Sequence, residues 1–92
     1  MIRSFSCSST ERLWLGHDVA RFRPFRDLAE RKLKILDSAT ILGDLTLLPG
    51  NHLEKLAGDR KGQHSIRVTR QWRICFKWDA GGANDVEIVD YH

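Results

Sequence analysis

The sequence predicts an α+β domain: two N-terminal helices packed on one face of a small, mostly antiparallel, twisted sheet. Two observations carry this. Before Asn51 the apolar residues recur at helical spacing, and after it they recur at every second position. Helices first and hairpins afterwards is also the element order of a chain whose helices gather on one sheet face. Size is the third observation. The chain has 92 residues, 41% apolar and 29% charged, which predicts a single domain over residues 1–92 with one real core rather than a disordered segment.

Residues 1–5 read as a short first strand. Thr10 is placed to cap a brief helix over residues 11–15, with Gly16 closing it. Pro24 suits the first turn of a second helix, where its missing N–H costs nothing. In that helix Phe25, Leu28, Ala29, Ile35, Leu36 and Ala39 fall on overlapping i, i+3, i+4 and i+7 positions, and Arg26, Asp27, Glu30, Arg31 and Lys34 take the wet side. Gly43 ends the helix or a short continuation of it, and Pro49-Gly50 forces a turn. Residues 53–56 form a weak strand, residues 58–62 a turn, and residues 64–69 alternate. Trp72, Ile74, Phe76 and Trp78 then share one face while Arg73, Cys75 and Lys77 share the other. Residues 79–82 form a loop and residues 86–89 complete the sheet. Ile66, Val68, Ile74, Phe76, Val86 and Ile88 are expected against the helices. Arg67, Arg73, Lys77 and Glu87 are expected on an open face.

Several chemistries are excluded by spacing. His17, His52, His64 and His92 show no HxxxH or HExxH pattern, and Cys7 and Cys75 lack a CxxC partner, so no metal site is expected. No glycine-rich phosphate loop is present, and no cofactor is expected. Two widely separated cysteines fit a reducing, cytoplasmic setting. No N-terminal apolar run resembles a secretory signal, and no stretch is long enough to cross a membrane.

Charge is distributed unevenly. From residue 55 to residue 77 there are seven basic residues (Lys55, Arg60, Lys61, Arg67, Arg70, Arg73 and Lys77) and one acid, Asp59. From residue 78 onward there are four acids and no Lys or Arg. Arg67 and Arg73, on neighbouring strands of the open face, present planar donor forks suited to phosphate oxygens. The competing expectation is that Glu87 or Asp90 simply neutralises them. A basic field of this kind points to nucleic acid.

Three stretches, Gly58-Asp59-Arg60-Lys61-Gly62-Gln63-His64-Ser65-Ile66-Arg67-Val68, Gln71-Trp72-Arg73-Ile74-Cys75-Phe76 and Val86-Glu87-Ile88-Val89-Asp90-Tyr91-His92, together resemble the HigB-type toxins of the RelE superfamily. Residues 1–5, Arg31-Lys32-Leu33 and Pro49-Gly50-Asn51 also fit, so the resemblance covers nearly the whole chain. It implies a RelE-like fold. It also implies a ribosome-dependent endoribonuclease that cleaves translated mRNA without a metal and so arrests growth. Implied partners are a HigA-type helix-turn-helix antitoxin, the ribosome and mRNA, with operator DNA bound only through the antitoxin complex. Residue by residue, the resemblance assigns Asp90, Tyr91, His92 and Arg73 to catalysis. It assigns Arg60 and Arg67 to the RNA-facing side, where Lys55 and Lys61 add charge. The chain departs from the family at Ala57, where several relatives carry lysine, and at Glu54, where one branch carries histidine. The general base therefore stays open among His52, Lys55 and His64, and a non-catalytic relative that binds RNA or antitoxin remains the alternative.

Overall fold

The computed structural model describes residues 1–91; His92, expected to move a proton, lies outside them. Helix α1 spans Ser8–Trp14, and Cys7, in extended conformation, precedes it as the N-cap. Gly16 takes φ +93°, which lets its N–H reach the Leu13 carbonyl at 3.0 Å and closes the helix. Thr10 is not the cap. It lies inside the helix, fully buried, and its hydroxyl oxygen accepts the Ile88 N–H at 2.9 Å. A threonine oxygen serves either purpose, and only the sheet's position decides which.

Pro24 sits in a 3-10 turn, Ala20–Phe25, immediately ahead of α2, Arg26–Ser38, rather than in its first turn. Ala29, Leu33 and Leu36 form the buried stripe of α2, flanked by half-buried Phe25, Leu28 and Ile35. Arg26 and Glu30, one turn apart on its outer side, pair at 2.7 Å. The chain leaves α2 through extended Ala39. The Asp44 carboxylate then accepts the Thr40 and Ile41 N–H groups at 2.9 and 3.2 Å, which starts a 3-10 turn, Leu42–Thr46. Gly43 therefore lies within that turn, and a further 3-10 turn covers Pro49–Asn51.

Four strands follow: β1 Glu54–Lys55, β2 His64–Arg67, β3 Trp72–Asp79 and β4 Gly82–Asp90. They form one antiparallel sheet in the order β1-β2-β3-β4. Residues 1–5 do not make a full strand. They form isolated parallel bridges, Ile2 with Ala83 and Phe5 with Val86, that cover the outer edge of β4.

The period-2 pattern holds where it was expected. Ile66, Val68, Ile74, Phe76, Val86 and Ile88 are buried in one cluster with Leu13, Phe22, Leu33, Leu36 and Leu45. Trp72 and Trp78 pack against this cluster, Trp72 meeting Phe25 at 5.0 Å and Phe22 edge-on at 5.9 Å. With both helices on that side, the alternate residues of β2 and β3 are left on the other.

Candidate active site

The alternation that buries Ile74 and Phe76 turns Arg73, Cys75 and Lys77 away from the helices. Register assembles their neighbours: Arg67 pairs with Arg73, Ser65 with Cys75, Glu54 with Ser65, and Glu87 with Cys75. Two arginines directly opposed across strands repel one another, and such a pair calls for an anion.

This face is not open, contrary to expectation. Ser65 and Cys75 are fully buried and Arg73 is 8% exposed. Parts of the 51–63 segment reach back to it, a long-range contact that strand periodicity does not register. The Arg73 guanidinium donates from Nε to Ser65 Oγ at 2.7 Å and from Nη2 to the His52 carbonyl at 2.5 Å, with the Ser65 carbonyl at 3.4 Å. Its ion-pair contact, with Glu54, is long at 3.9 Å. Neutral acceptors thus fix the orientation of the cation while its charge is only loosely matched.

The carboxylates expected to neutralise this pair are engaged as follows. Glu87 takes Arg60, 3.3 Å away, whose guanidinium also donates to Gln63 Oε1 at 3.1 Å. Asp90 accepts Gln71 Nε2 at 3.0 Å and lies opposite Trp72 in the register. Lys77 pairs with Asp85 at 3.4 Å beside the bulge between β3 and β4. Among the described residues Arg67 makes no ion pair.

The structure therefore brings Arg73, Arg67 and Arg60 to one face. The other candidates are placed differently. His64 shares the parity of Ile66 and faces the helices; its ring stacks on Phe76 with centroids 6.1 Å apart, and Nδ1 is buried with no hydrogen-bond partner among the described residues. Burial, with the Lys55 charge behind it, holds the imidazole below its ordinary pKa. Lys55 pairs with His64 in the register, not with the Arg73 side, and Lys61 is exposed in the turn after Gly58–Arg60. His52 is exposed; its carbonyl, not its ring, contacts Arg73. Burial raises the Cys75 thiol pKa, which keeps it protonated at neutral pH. Tyr91 is partly exposed, and its N–H donates to the Gln71 carbonyl at 2.6 Å, so the chain is tied down to that point.

Ser65 is a neighbour of Arg73 that sequence reasoning did not single out, and Glu54 was marked there only as a departure from the family. The available signal was parity: Ser65 stands two residues before Arg67 on the same strand face. Among the described residues no group of three His, Cys, Asp or Glu side chains could hold a metal ion, and no helix is long and apolar enough to cross a membrane. What the arrangement offers chemically is a buried, aimed guanidinium, two further arginines and two carboxylates, Glu54 beside Arg73 and Glu87 on Arg60.

A protein-family model described as the RelE-like toxin of the type II toxin-antitoxin system HigB matches residues 18–92. Toxin HigB-1 of Vibrio cholerae is 51% identical over 53 residues, a match spanning 58% of this chain and 56% of that protein. Endoribonuclease HigB of Proteus vulgaris is 38% identical over 66 residues, 72% of this chain and 71% of that one. The YoeB-YefM complex from Staphylococcus aureus superposes with a TM-score of 0.61 over 100% of this chain and 98% of the matched one. At 18% sequence identity, that likeness is one of fold alone.

Proposed function

Since the chain belongs to the RelE-like HigB toxin family of type II toxin–antitoxin systems, we propose that it is a cytoplasmic, ribosome-dependent endoribonuclease that cleaves translated mRNA and is neutralised by a HigA-type antitoxin. The observation that carries this reading is Arg73, a guanidinium oriented by Ser65 and the His52 carbonyl and facing Arg67 across the sheet.

In such a reaction the RNA 2′-oxygen bonds to the adjacent phosphorus while the bond from phosphorus to the 5′-oxygen breaks. Negative charge gathers on the phosphoryl oxygens. A cation already aimed at that charge stabilises it without reorganising, typically the largest single catalytic contribution. Arg73 fills this role, and Arg67, Arg60 and Lys61 hold the flanking phosphates. Lys55 contributes field rather than contact.

The 2′-hydroxyl must lose a proton and the 5′-oxygen must gain one. Glu54, whose carboxylate lies 3.9 Å from Arg73, is the proposed acceptor of the first. Imidazole can take up and give up a proton near neutral pH, and His92 is the residue proposed to donate the second. Tyr91 stacks on a base or donates its hydroxyl, and Asp90 supports the proton-transfer role of His92. The half-buried, helix-facing setting of His64 disfavours it as the base. The antitoxin of the pair, not this chain, makes the base contacts with operator DNA.

The test is induced expression with 5′-end mapping of cellular mRNA, with and without the neighbouring antitoxin gene. New ends within translated frames, lost in Arg73→Ala and on antitoxin co-expression, are the expected result. A folded protein that binds RNA but yields no new ends would instead be a non-catalytic relative.

A further inference from the structure

Besides Thr10, a second buried polar residue lies outside the site. Asn51 is completely buried, and its side chain is bonded at both ends. Lys32 Nζ, on α2, donates to Asn51 Oδ1 at 2.6 Å, and Asn51 Nδ2 donates to the Leu45 carbonyl at 3.0 Å. Its backbone N–H closes the turn on Leu48 at 2.9 Å. A buried amide bonded at both its oxygen and its nitrogen fixes the backbone around it. The next residue, His52, is forced into the left-handed region at φ 43°, ψ 56°, which a side-chain-bearing residue adopts only when its surroundings demand it. That conformation turns the His52 carbonyl onto Arg73 Nη2. The contacts run without a gap from α2 to the guanidinium: Lys32, Asn51, the His52 backbone, Arg73.

We propose that Asn51, held by Lys32, is a positioning residue for Arg73, setting the His52 carbonyl that orients the guanidinium toward the scissile phosphate. Ser65 Oγ fixes Nε from one side, and the His52 carbonyl fixes Nη2 from the other. With only the first, the fork can pivot about the Nε contact. The Asn51 amide bonds to Lys32 and to the Leu45 carbonyl, so it reaches the guanidinium through the His52 backbone. This inference rests on the endoribonuclease reading for its kinetic arm.

The experiment uses the full chain, with Asn51→Leu, which removes both side-chain bonds at similar volume, and Lys32→Met, which keeps the stem and drops the ammonium. Cleavage of mRNA on programmed ribosomes is measured per folded molecule. The expected result for Asn51→Leu is a fall in kcat of about 10- to 100-fold with KM within about twofold, as for a misaimed group that acts mainly in the transition state. Lys32→Met is expected to show a smaller loss in the same direction and to remain folded if Asn51→Leu does not. In an Arg73→Ala background neither substitution should lower kcat further, since nothing is left to aim. A purely structural role would instead lower the folded fraction and multiply with Arg73→Ala. A second readout needs no activity: the Arg73 Nε–H resonance should shift in both variants. If wild-type protein does not cleave, the functional reading fails while the resonance shift still judges the positioning. Full kcat or an unmoved Arg73 resonance in folded Asn51→Leu or Lys32→Met overturns the proposal.

Discussion

A guanidinium that is 8% exposed and bonded mainly to neutral oxygens keeps a charge it cannot readily swing elsewhere. Arg73→Ala is therefore expected to lower single-turnover cleavage by about 10²–10³-fold, whereas Arg73→Lys, a point charge without the fork, should recover part of that loss. His64 makes a prediction about stability instead. Its pKa is depressed by burial and by Lys55, so the unfolded chain binds the proton more readily than the folded one. Its favourable contribution is complete above the unfolded pKa, near 6.5, and declines as pH falls from there through the lower folded value. Urea midpoints should fall between pH 7 and pH 5, and more steeply in the wild type than in His64→Leu. The chemistry of Arg73 was legible in the sequence, as a cation on the strand face opposite Ile74 and Phe76. Its burial was not, because the groups that engage it, the His52 carbonyl and Glu54, arrive from a segment twenty residues earlier without periodicity.

The strands and the helices were not equally legible. Strands β2, β3 and β4 follow from alternation because each has one face that must be dry, and the core residues named from that pattern are those the fold buries. The limits of α1 did not follow, because Thr10 trades a local capping bond for one to β4. That bond moors α1 to the sheet through a single buried hydroxyl. Thr10→Val leaves the Ile88 N–H buried and without this acceptor, and should cost about 1–3 kcal/mol in urea denaturation. Amide exchange should quicken at Ile88 well before it does at Ile74. Residues 1–5 were expected as a strand and serve as a narrower edge cover; their bridges at Ile2 and Phe5 leave no continuous ladder for another chain to extend.

Across the whole molecule the formal charge is only +3, so any strong attraction for RNA must be local. The sheet supplies that locality by putting helices on one side and Arg60, Arg67 and Arg73 on the other. Affinity for RNA should thus fall steeply with salt, while folding should be much less affected. Filter binding of a short single-stranded RNA between 50 and 300 mM KCl would check this; a flat profile would remove the arginine face from RNA binding. No described helix offers a basic recognition surface in a helix-turn-helix arrangement, so the purified chain alone should not shift its operator at physiological salt.

The opposed Arg67 and Arg73 have one more consequence. Two like charges on facing strands make the ligand-free protein its own antagonist: it folds against a repulsion that a bound polyanion relieves. Substituting Arg67→Gln should accordingly raise the unfolding free energy by about 0.2–1 kcal/mol even as it impairs cleavage. Phosphate at millimolar concentration should raise the melting temperature of the wild type more than chloride does at equal ionic strength, and should lose most of that advantage in the variant. A fold relaxed at this pair would be hardier and would grip RNA less, so the tension across β2 and β3 is the mark of a surface shaped for something it does not itself contain.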